Sequence, residues 1–257
     1  MTPLVLTIGA TEPWNAAGLG LDVRALAACG ARALSVVAGV TAQDGAGVRA
    51  SAAIAPDLIA AQLRALESAE IAAIRVGALL DPASVRVIAM WLLARHEARQ
   101  RVPVVYDPVF APSAGGAFAD DATVAAIARD LVPLATLVTP NLEEVARLAG
   151  IALPTTTAEM ANAANLLRAR GATAVLVKGG HLASDPIDVL VDADGVRTFV
   201  APRLPGTLRG TGCLLACGIA AALARDLRLA DAVADGRAFV RERFASATEF
   251  AGMRVAY

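Results

Sequence analysis

Arg209-Gly-Thr-Gly-Cys213 runs straight into Leu214-Leu-Ala-Cys-Gly-Ile-Ala-Ala-Ala-Leu-Ala224, a glycine-rich bend delivering an apolar helix. Two glycines around a small residue let the backbone turn its amides toward one point. The following helix adds its positive end, and the combination makes an anion hole. The same residues also suit an ordinary tight turn that feeds a buried helix, since short glycine motifs are weak signals. Cys213 stands at the helix start, where dipole and amide donors lower a thiol pKa. Cys217, one turn later, fits plain core.

Outward from this junction the chain alternates short apolar runs with longer amphipathic segments. Residues 4–8, 33–40, 73–76, 102–106, 137–138 and 174–177 read as buried parallel strands. Between them, 17–29, 56–68, 84–99, 119–131, 142–148 and 158–170 are alanine-rich with helical spacing. Such βαβ alternation predicts an α/β fold, a mostly parallel sheet covered by helices on both faces. Pro56 and Pro82 suit first helical turns, and Gly30 and Gly150 suit helix ends. Residues 187–191 and 196–200, joined by Asp192-Ala-Asp-Gly195, predict an antiparallel hairpin at one sheet edge. Two last helices are expected over 211–225 and 229–250. No repeat, linker or charge block divides the chain, so residues 1–257 are read as one domain.

Composition narrows the function classes. Residues of the AVILMFWYC set make up 56% of the 257 positions and charged residues 18%, which excludes a disordered chain. A formal net charge of −1 argues against nucleic acid as the main partner. The longest apolar stretch, 212–224, is bracketed by Arg209 and Arg225 and falls short of the ~18 residues a membrane span needs. The N-terminus has no basic region and no small-residue cleavage site after an apolar core. Three cysteines, Cys29, Cys213 and Cys217, show no zinc spacing and fit free thiols in a reducing cytoplasm. Lys178 is the single lysine in a chain whose other long cations are all arginine.

Three further segments could carry chemistry. Thr139-Pro-Asn-Leu-Glu-Glu144 sits between a short strand and a helix. Thr139 or Asn141 can cap that helix while the glutamates favour its dipole. Alternatively, Asn141 and Glu144 lie at a strand's C-terminal end, where open α/β sheets bind ligands, and hold a metal-bound water. Val177-Lys-Gly-Gly-His181 offers a nucleotide phosphate one cation and neighbouring amides, or is a solvated turn. The first strand runs through a small-residue loop to Asp22, either a surface carboxylate or a buried acceptor for a ligand amine. The G-x-G-x-x-G order of a dinucleotide fold is absent there.

In this order the segments resemble the ribokinase-like superfamily, and most closely its hydroxymethylpyrimidine and phosphomethylpyrimidine kinases of thiamine synthesis. The resemblance covers the whole chain. It rests on Gly18 to Asp22 after a Thr-Glu-Pro loop, Val40-Thr-Ala-Gln43, Val76-Gly77 and Asp107-Pro-Val109. It continues through Thr139 to Glu144, Lys178-Gly-Gly-His181, Ala201-Pro-Arg203 and Gly210-Thr-Gly-Cys213. The last is the most discriminating, because most relatives carry aspartate where the pyrimidine kinases and some pyridoxal kinases carry this cysteine.

The resemblance implies a three-layer α/β/α sandwich that binds ATP with Mg2+ and phosphorylates an aminopyrimidine alcohol or its monophosphate. A pyridoxal kinase and a non-catalytic pyrimidine-binding relative are the alternatives. It implies that Asp22 and Gln43 hydrogen-bond the pyrimidine edge while Gly9, Val40, Ala78 and Val109 line its pocket. Asp107, Asn141 and Glu144 would surround magnesium and the phosphates, with Asp107 and Glu144 acting through water. Lys178 and Gly179 would approach ATP. Gly210, Thr211 and Gly212 would form the anion hole, with Cys213 as the base beside the accepting hydroxyl. A cytoplasmic homodimer is expected, with no nucleic-acid or membrane partner. The chain departs from the family at Trp14-Asn-Ala-Ala17, Gly20-Leu21 and Leu214-Leu-Ala216, and Arg209 replaces the usual histidine before Gly-Thr-Gly.

Overall fold

The computed structural model describes residues 2–44, 47–111, 118–180, 185–250 and 252–256. Its nine-stranded sheet has the order β3-β2-β1-β4-β5-β6-β7-β8-β9. The central strands are β1 (Leu4–Thr11), β2 (Arg32–Asp44), β4 (Ile71–Val76), β5 (Val104–Tyr106), β6 (Leu137–Val138) and β7 (Ala174–Val177). They pair in parallel, as βαβ connections require. The predicted hairpin is present as β8 (Ile187–Asp192) and β9 (Gly195–Val200), antiparallel at one edge.

Helices cover both faces. On one side lie α2 (Pro56–Arg64), α3 (Pro82–Glu97), α4 (Asp121–Ala126), α5 (Leu142–Ala149) and α6 (Thr157–Ala169). Their core holds Leu6, Ile8, Ile74, Val76, Tyr106, Val138 and Val177 from the strands. On the other side α1 (Gly18–Ala28), α7 (Thr211–Leu223) and α8 (Leu229–Ala245) pack on Val5, Ala73, Val105, Leu137 and Leu176. Strand side chains alternate between these cores with period 2. Every residue of α7 from Cys213 to Leu223 is buried, because the helix is sandwiched between the sheet and α8. Gly218 and Gly236 make that sandwich thin: a Cβ on Gly218 would lie 2.9 Å from Gly236 Cα.

Three expectations are corrected. The second edge is antiparallel as well, because β3 (Gly47–Ala53) folds back on the far half of a longer β2. That strand is mostly small and exposed, so no apolar alternation marks it. The helix expected over 119–131 is only α4, followed by a π turn (Ile127–Leu131) and a 3-10 turn (Val132–Leu134). Pro133, which has no amide to continue the ladder, lies in that last turn. The final helix stops at Ala245; β10 (Thr248–Phe250) and β11 (Met253–Val255) then form a small hairpin in which Gly252 takes φ 74°. Among the described residues no helix is long and apolar enough to cross a membrane.

Candidate active site

The α7 face of the sheet changes character at the C-terminal ends of its strands. Two residues beyond Val5, Ala73, Val105, Leu137 and Leu176, all in the α7-side core, come Thr7, Arg75, Asp107, Thr139 and Lys178. Period-2 geometry keeps each on the same face, so five neighbouring strands raise one polar row across the sheet. Thr7, Arg75, Asp107 and Thr139 are all at most 1% exposed. Buried groups of this kind persist only when paired, and here each has a partner.

Arg75 is the hub. Its Nη1 donates to Asp22 Oδ2 at 2.8 Å and its Nη2 to Asp107 Oδ2 at 3.0 Å. Asp22, on α1, also accepts from the Thr7 hydroxyl at 2.6 Å and from the Cys217 thiol at 3.4 Å. Gly77 leaves room for the guanidinium, since a Cβ there would sit 2.0 Å from Arg75 Nη1. Asp107 Oδ1 accepts from Lys178 Nζ at 2.8 Å and from the Thr139 hydroxyl at 3.3 Å. Burial alone would raise the Asp107 pKa, but the charges of Lys178 and Arg75 outweigh it and hold it below the ordinary 3.8. Lys178 is likewise desolvated, yet Asp107 and Glu144 keep its pKa above 10.5.

Beside this pair begins α5. Asn141 caps it by accepting from the Glu144 amide at 2.8 Å, and the Glu144 carboxylate accepts from the Asn141 amide at 2.7 Å. This reciprocal box is the structural role expected for Asn141. It leaves Glu144 Oε2 3.9 Å from Lys178 Nζ. Desolvation pushes the Glu144 pKa up to about 7 despite the Lys178 charge. A parallel bridge between Asn141 and Lys178 ties the two loops together.

The Gly-Thr-Gly segment lies directly over these charges. A Cβ on Gly212 would stand 3.3 Å from Lys178 Nζ and 3.5 Å from both Asp107 carboxylate oxygens. Gly210 caps α7 in the left-handed region at φ 77°, where a Cβ would meet Ala16 O at 2.6 Å. The loop before α1 is shaped by Glu12, whose carboxylate accepts from the amides of Trp14 at 2.7 Å and Ala17 at 3.0 Å. That loop delivers the Gly18 amide to Cys213. The thiol nevertheless titrates high: burial, outweighing Arg75 and the Gly18 amide, pushes it up to about 11. This corrects the expectation that the helix start would lower it; full desolvation of a thiolate exceeds the benefit of a helix end.

The remaining expected residues divide. Gly9, Gly77 and Ala78 meet: a Cβ on Gly9 would lie 3.6 Å from both the Ala78 amide nitrogen and Gly77 Cα. Val40 is 45% exposed at the level of Thr11, and Val109 is half-buried just past Asp107. Gln43, 7% exposed, accepts from Arg209 Nη2 at 3.0 Å. Asp22 departs from expectation, because Arg75, Thr7 and Cys217 engage both of its oxygens and it has no exposed surface. It is the counter-ion of Arg75 rather than a side chain open to a ring. Gly179 departs too, since its amide donates to Asp188 Oδ1 at 3.0 Å and a phosphate would find no free N–H there. His181 lies outside the described residues.

Sequence reasoning passed over Arg75 and Glu12. The signal for Arg75 was a cation inside the otherwise apolar Ile71–Val76 strand. A cavity of about 310 Å³ at the other end of the sheet, lined in part by Arg95, His96, Val102 and Thr136, shares no residue with this cluster.

A family model described as phosphomethylpyrimidine kinase matches residues 13–255. The chain belongs to that family. A hydroxymethylpyrimidine/phosphomethylpyrimidine kinase of Rhizobium meliloti is 34% identical over 250 residues, 96% of this chain and 92% of that protein. The crystal structure of the Clostridium difficile phosphomethylpyrimidine kinase superposes with a TM-score of 0.83 at 25% identity, over 95% of this chain and 100% of that one. A pyridoxal kinase from Staphylococcus aureus, solved with pyridoxal, gives a TM-score of 0.90 at 23% identity over 100% of this chain and 93% of its own. At that identity the likeness shows the ribokinase-like fold alone. This phosphomethylpyrimidine kinase family member is therefore a phosphotransferase with the α/β fold anticipated from its strand pattern.

Proposed function

We propose that this kinase transfers the γ-phosphoryl group of ATP to 4-amino-5-hydroxymethyl-2-methylpyrimidine or its monophosphate, a step of thiamine synthesis. The observation that carries this reading is Gly212 set over the Lys178–Asp107 pair at the amide-rich start of α7. The hydroxyl oxygen of the alcohol, or a phosphate oxygen of the monophosphate, attacks the γ-phosphorus as the bond to the β-phosphate breaks, and ADP leaves. Such transfer demands positioning and charge neutralisation more than covalent help. The amides of Gly210, Thr211 and Gly212 and the α7 dipole meet charge on the moving phosphoryl group. Lys178, already beside Asp107, lies within reach of the same oxygens.

Cys213, protonated at neutral pH with its pKa near 11, acts as a close contact for the hydroxyl rather than a ready thiolate. In a loose transfer the hydroxyl proton departs late, and the phosphoryl oxygens can accept it.

The donor set fits Mg2+ carried by the nucleotide. Both Asp107 oxygens are engaged by cations and Thr139, and Glu144 uses Oε2 in its helix box. Among the described residues no three His, Cys, Asp or Glu side chains converge as a metal cage. Magnesium commonly keeps its waters and takes one or two carboxylates plus phosphates, so Glu144 and Asp107 would hold it through water. When bound it neutralises charge on the β- and γ-phosphates. ATP as donor supports a cytoplasmic location. The single sheet running from Leu4 to Val200 supports one domain. The homodimer is part of this reading, and size-exclusion chromatography with light scattering tests it.

Steady-state phosphorylation with ATP, using the pyrimidine alcohol, its monophosphate and pyridoxal, tests the substrate. The expected result is the highest kcat/KM for a pyrimidine. Equal or better turnover of pyridoxal overturns the choice, and tight pyrimidine binding without ATP consumption establishes the non-catalytic alternative.

A further inference from the structure

Arg209 joins three separate pieces of chain at the rim of the site. Its backbone amide donates to Arg254 O at 3.1 Å, in the C-terminal hairpin. Its Nη1 donates to Asp44 O at 2.8 Å and lies 3.2 Å from Met253 Sδ, while Nη2 donates to Gln43 Oε1 at 3.0 Å. The next residue along the chain is Gly210, the cap of α7.

Gln43 is one of few buried polar side chains at this end of β2, at 7% exposure. A glutamine amide can point either way, offering an acceptor or two donors. A guanidinium has donors only, so the carbonyl oxygen of Gln43 must face Arg209. A flipped amide would set N–H against N–H and forfeit a charge-assisted bond. Among the described residues Gln43 Nε2 donates to nothing. The free end of this side chain therefore presents hydrogens, and only hydrogens, to whatever enters beside it.

We propose that Arg209 is a specificity-determining positioning residue. By fixing the Gln43 amide it selects a heterocycle that offers a lone-pair ring nitrogen at that position. It also rejects a ring that carries N–H there. The inference rests on the pyrimidine reading above and deepens it. A 4-aminopyrimidine leaves its ring nitrogens unprotonated, whereas the 4-oxo counterpart places a hydrogen on the ring nitrogen beside its carbonyl. A mismatched pair buries two donors face to face, a cost that converts to roughly tenfold or more in relative rate.

The test is the ratio of kcat/KM for the 4-amino alcohol to that for its 4-oxo counterpart. It is measured on the full chain as wild type, Arg209→Met, Arg209→Lys and Gln43→Glu. Arg209→Met frees the amide to flip and should lower the ratio about tenfold. Arg209→Lys, which still has only donors, should hold it near the wild-type value. Gln43→Glu stays paired with Arg209 but presents an acceptor, and should reverse the preference. A loss of rate shared equally by both substrates in Arg209→Met, with no reversal in Gln43→Glu, overturns the inference while leaving the pyrimidine reading intact. A wild type that phosphorylates neither ring overturns both. If Arg209→Met does not fold, the Gln43→Glu reversal decides alone.

Discussion

On the α2–α6 face the strand ends carry Ile8, Val76, Tyr106, Val138 and Val177, while one residue away the α7 face carries Thr7, Arg75, Asp107, Thr139 and Lys178. Both sets belong to the same strands and lie at the same height in the sheet. The first gains stability from apolar surface removed from water, at about 25 cal/mol per Å². The second carries charges whose desolvation cost can exceed their mutual attraction. A chain selected for stability alone would have used apolar residues on both faces. The α7 face instead keeps a cation–anion alternation of Arg75, Asp107 and Lys178 under a glycine-rich loop, the arrangement that the proposed phosphoryl transfer would use.

Arg75→Met is the severest way to break this comparison. It strands Asp22 and Asp107 without their shared cation and should destabilise the protein by about 3–5 kcal/mol. The loss is read as a lower urea midpoint at constant m. Adding Asp22→Asn should recover part of that loss, and no recovery would mean that Arg75 acts through packing rather than charge.

The opposite face supplies the control. Ile88→Ala, at a fully buried site in the α2–α6 core, should cost about 3 kcal/mol. The kcat of the folded enzyme should stay unchanged. A matching fall in kcat would show that the faces are not functionally separate.

Lys178→Ala should cost less in stability, because the lysine is 18% exposed. It should reduce kcat/KM for ATP about a hundredfold, in the range for removing one charge-stabilising donor. Pyrimidine binding, followed by calorimetry, should be nearly unchanged. Arginine at this position should rescue only partly, since a planar fork differs in reach from a compact ammonium.

The smallest effect concerns Glu144. Its folded pKa of about 7 lies above the ordinary 4.5, so the folded chain binds more protons between those values. The corresponding stability is fully present below about pH 4.5 and is lost as the pH rises through about 7. Glu144→Gln keeps the helix box and should flatten that decline in unfolding midpoints measured from pH 4.5 to 8. An unchanged slope would assign the titration elsewhere. Asp107 has the opposite sign: its depressed pKa makes a contribution that is present above about 3.8 and lost in acid.

Much of the fold was legible because parallel strands buried on both faces spell short apolar runs. Residues 137–138 and 174–177 were located to the residue, as was the Asp192–Gly195 turn to within one position. The edge strand β3 and the terminal hairpin were not, because exposed small residues carry no periodic signal. At the site, Lys178, Glu144 and the Gly210–Cys213 segment were singled out from motifs and Asp107 from the family resemblance, and the fold brings them together. The roles expected of Asp22, Gly179 and the Cys213 thiol were revised, since each depends on a partner or on burial contributed by a distant segment.

The sequence by itself determined the alternation of strands and helices, the glycines that end helices at Gly30 and Gly150, and the resemblance to the family. These follow from local periodicity, backbone sterics and residue types at fixed spacing. Only the tertiary structure decided which way those residues act. Arg75 lies 53 positions from Asp22 and 32 from Asp107, and Arg209 lies 166 positions from Gln43. Charge pairing, desolvation and the direction of an amide are set by what the folded chain places within 3 Å, and no local pattern of residues encodes that distance.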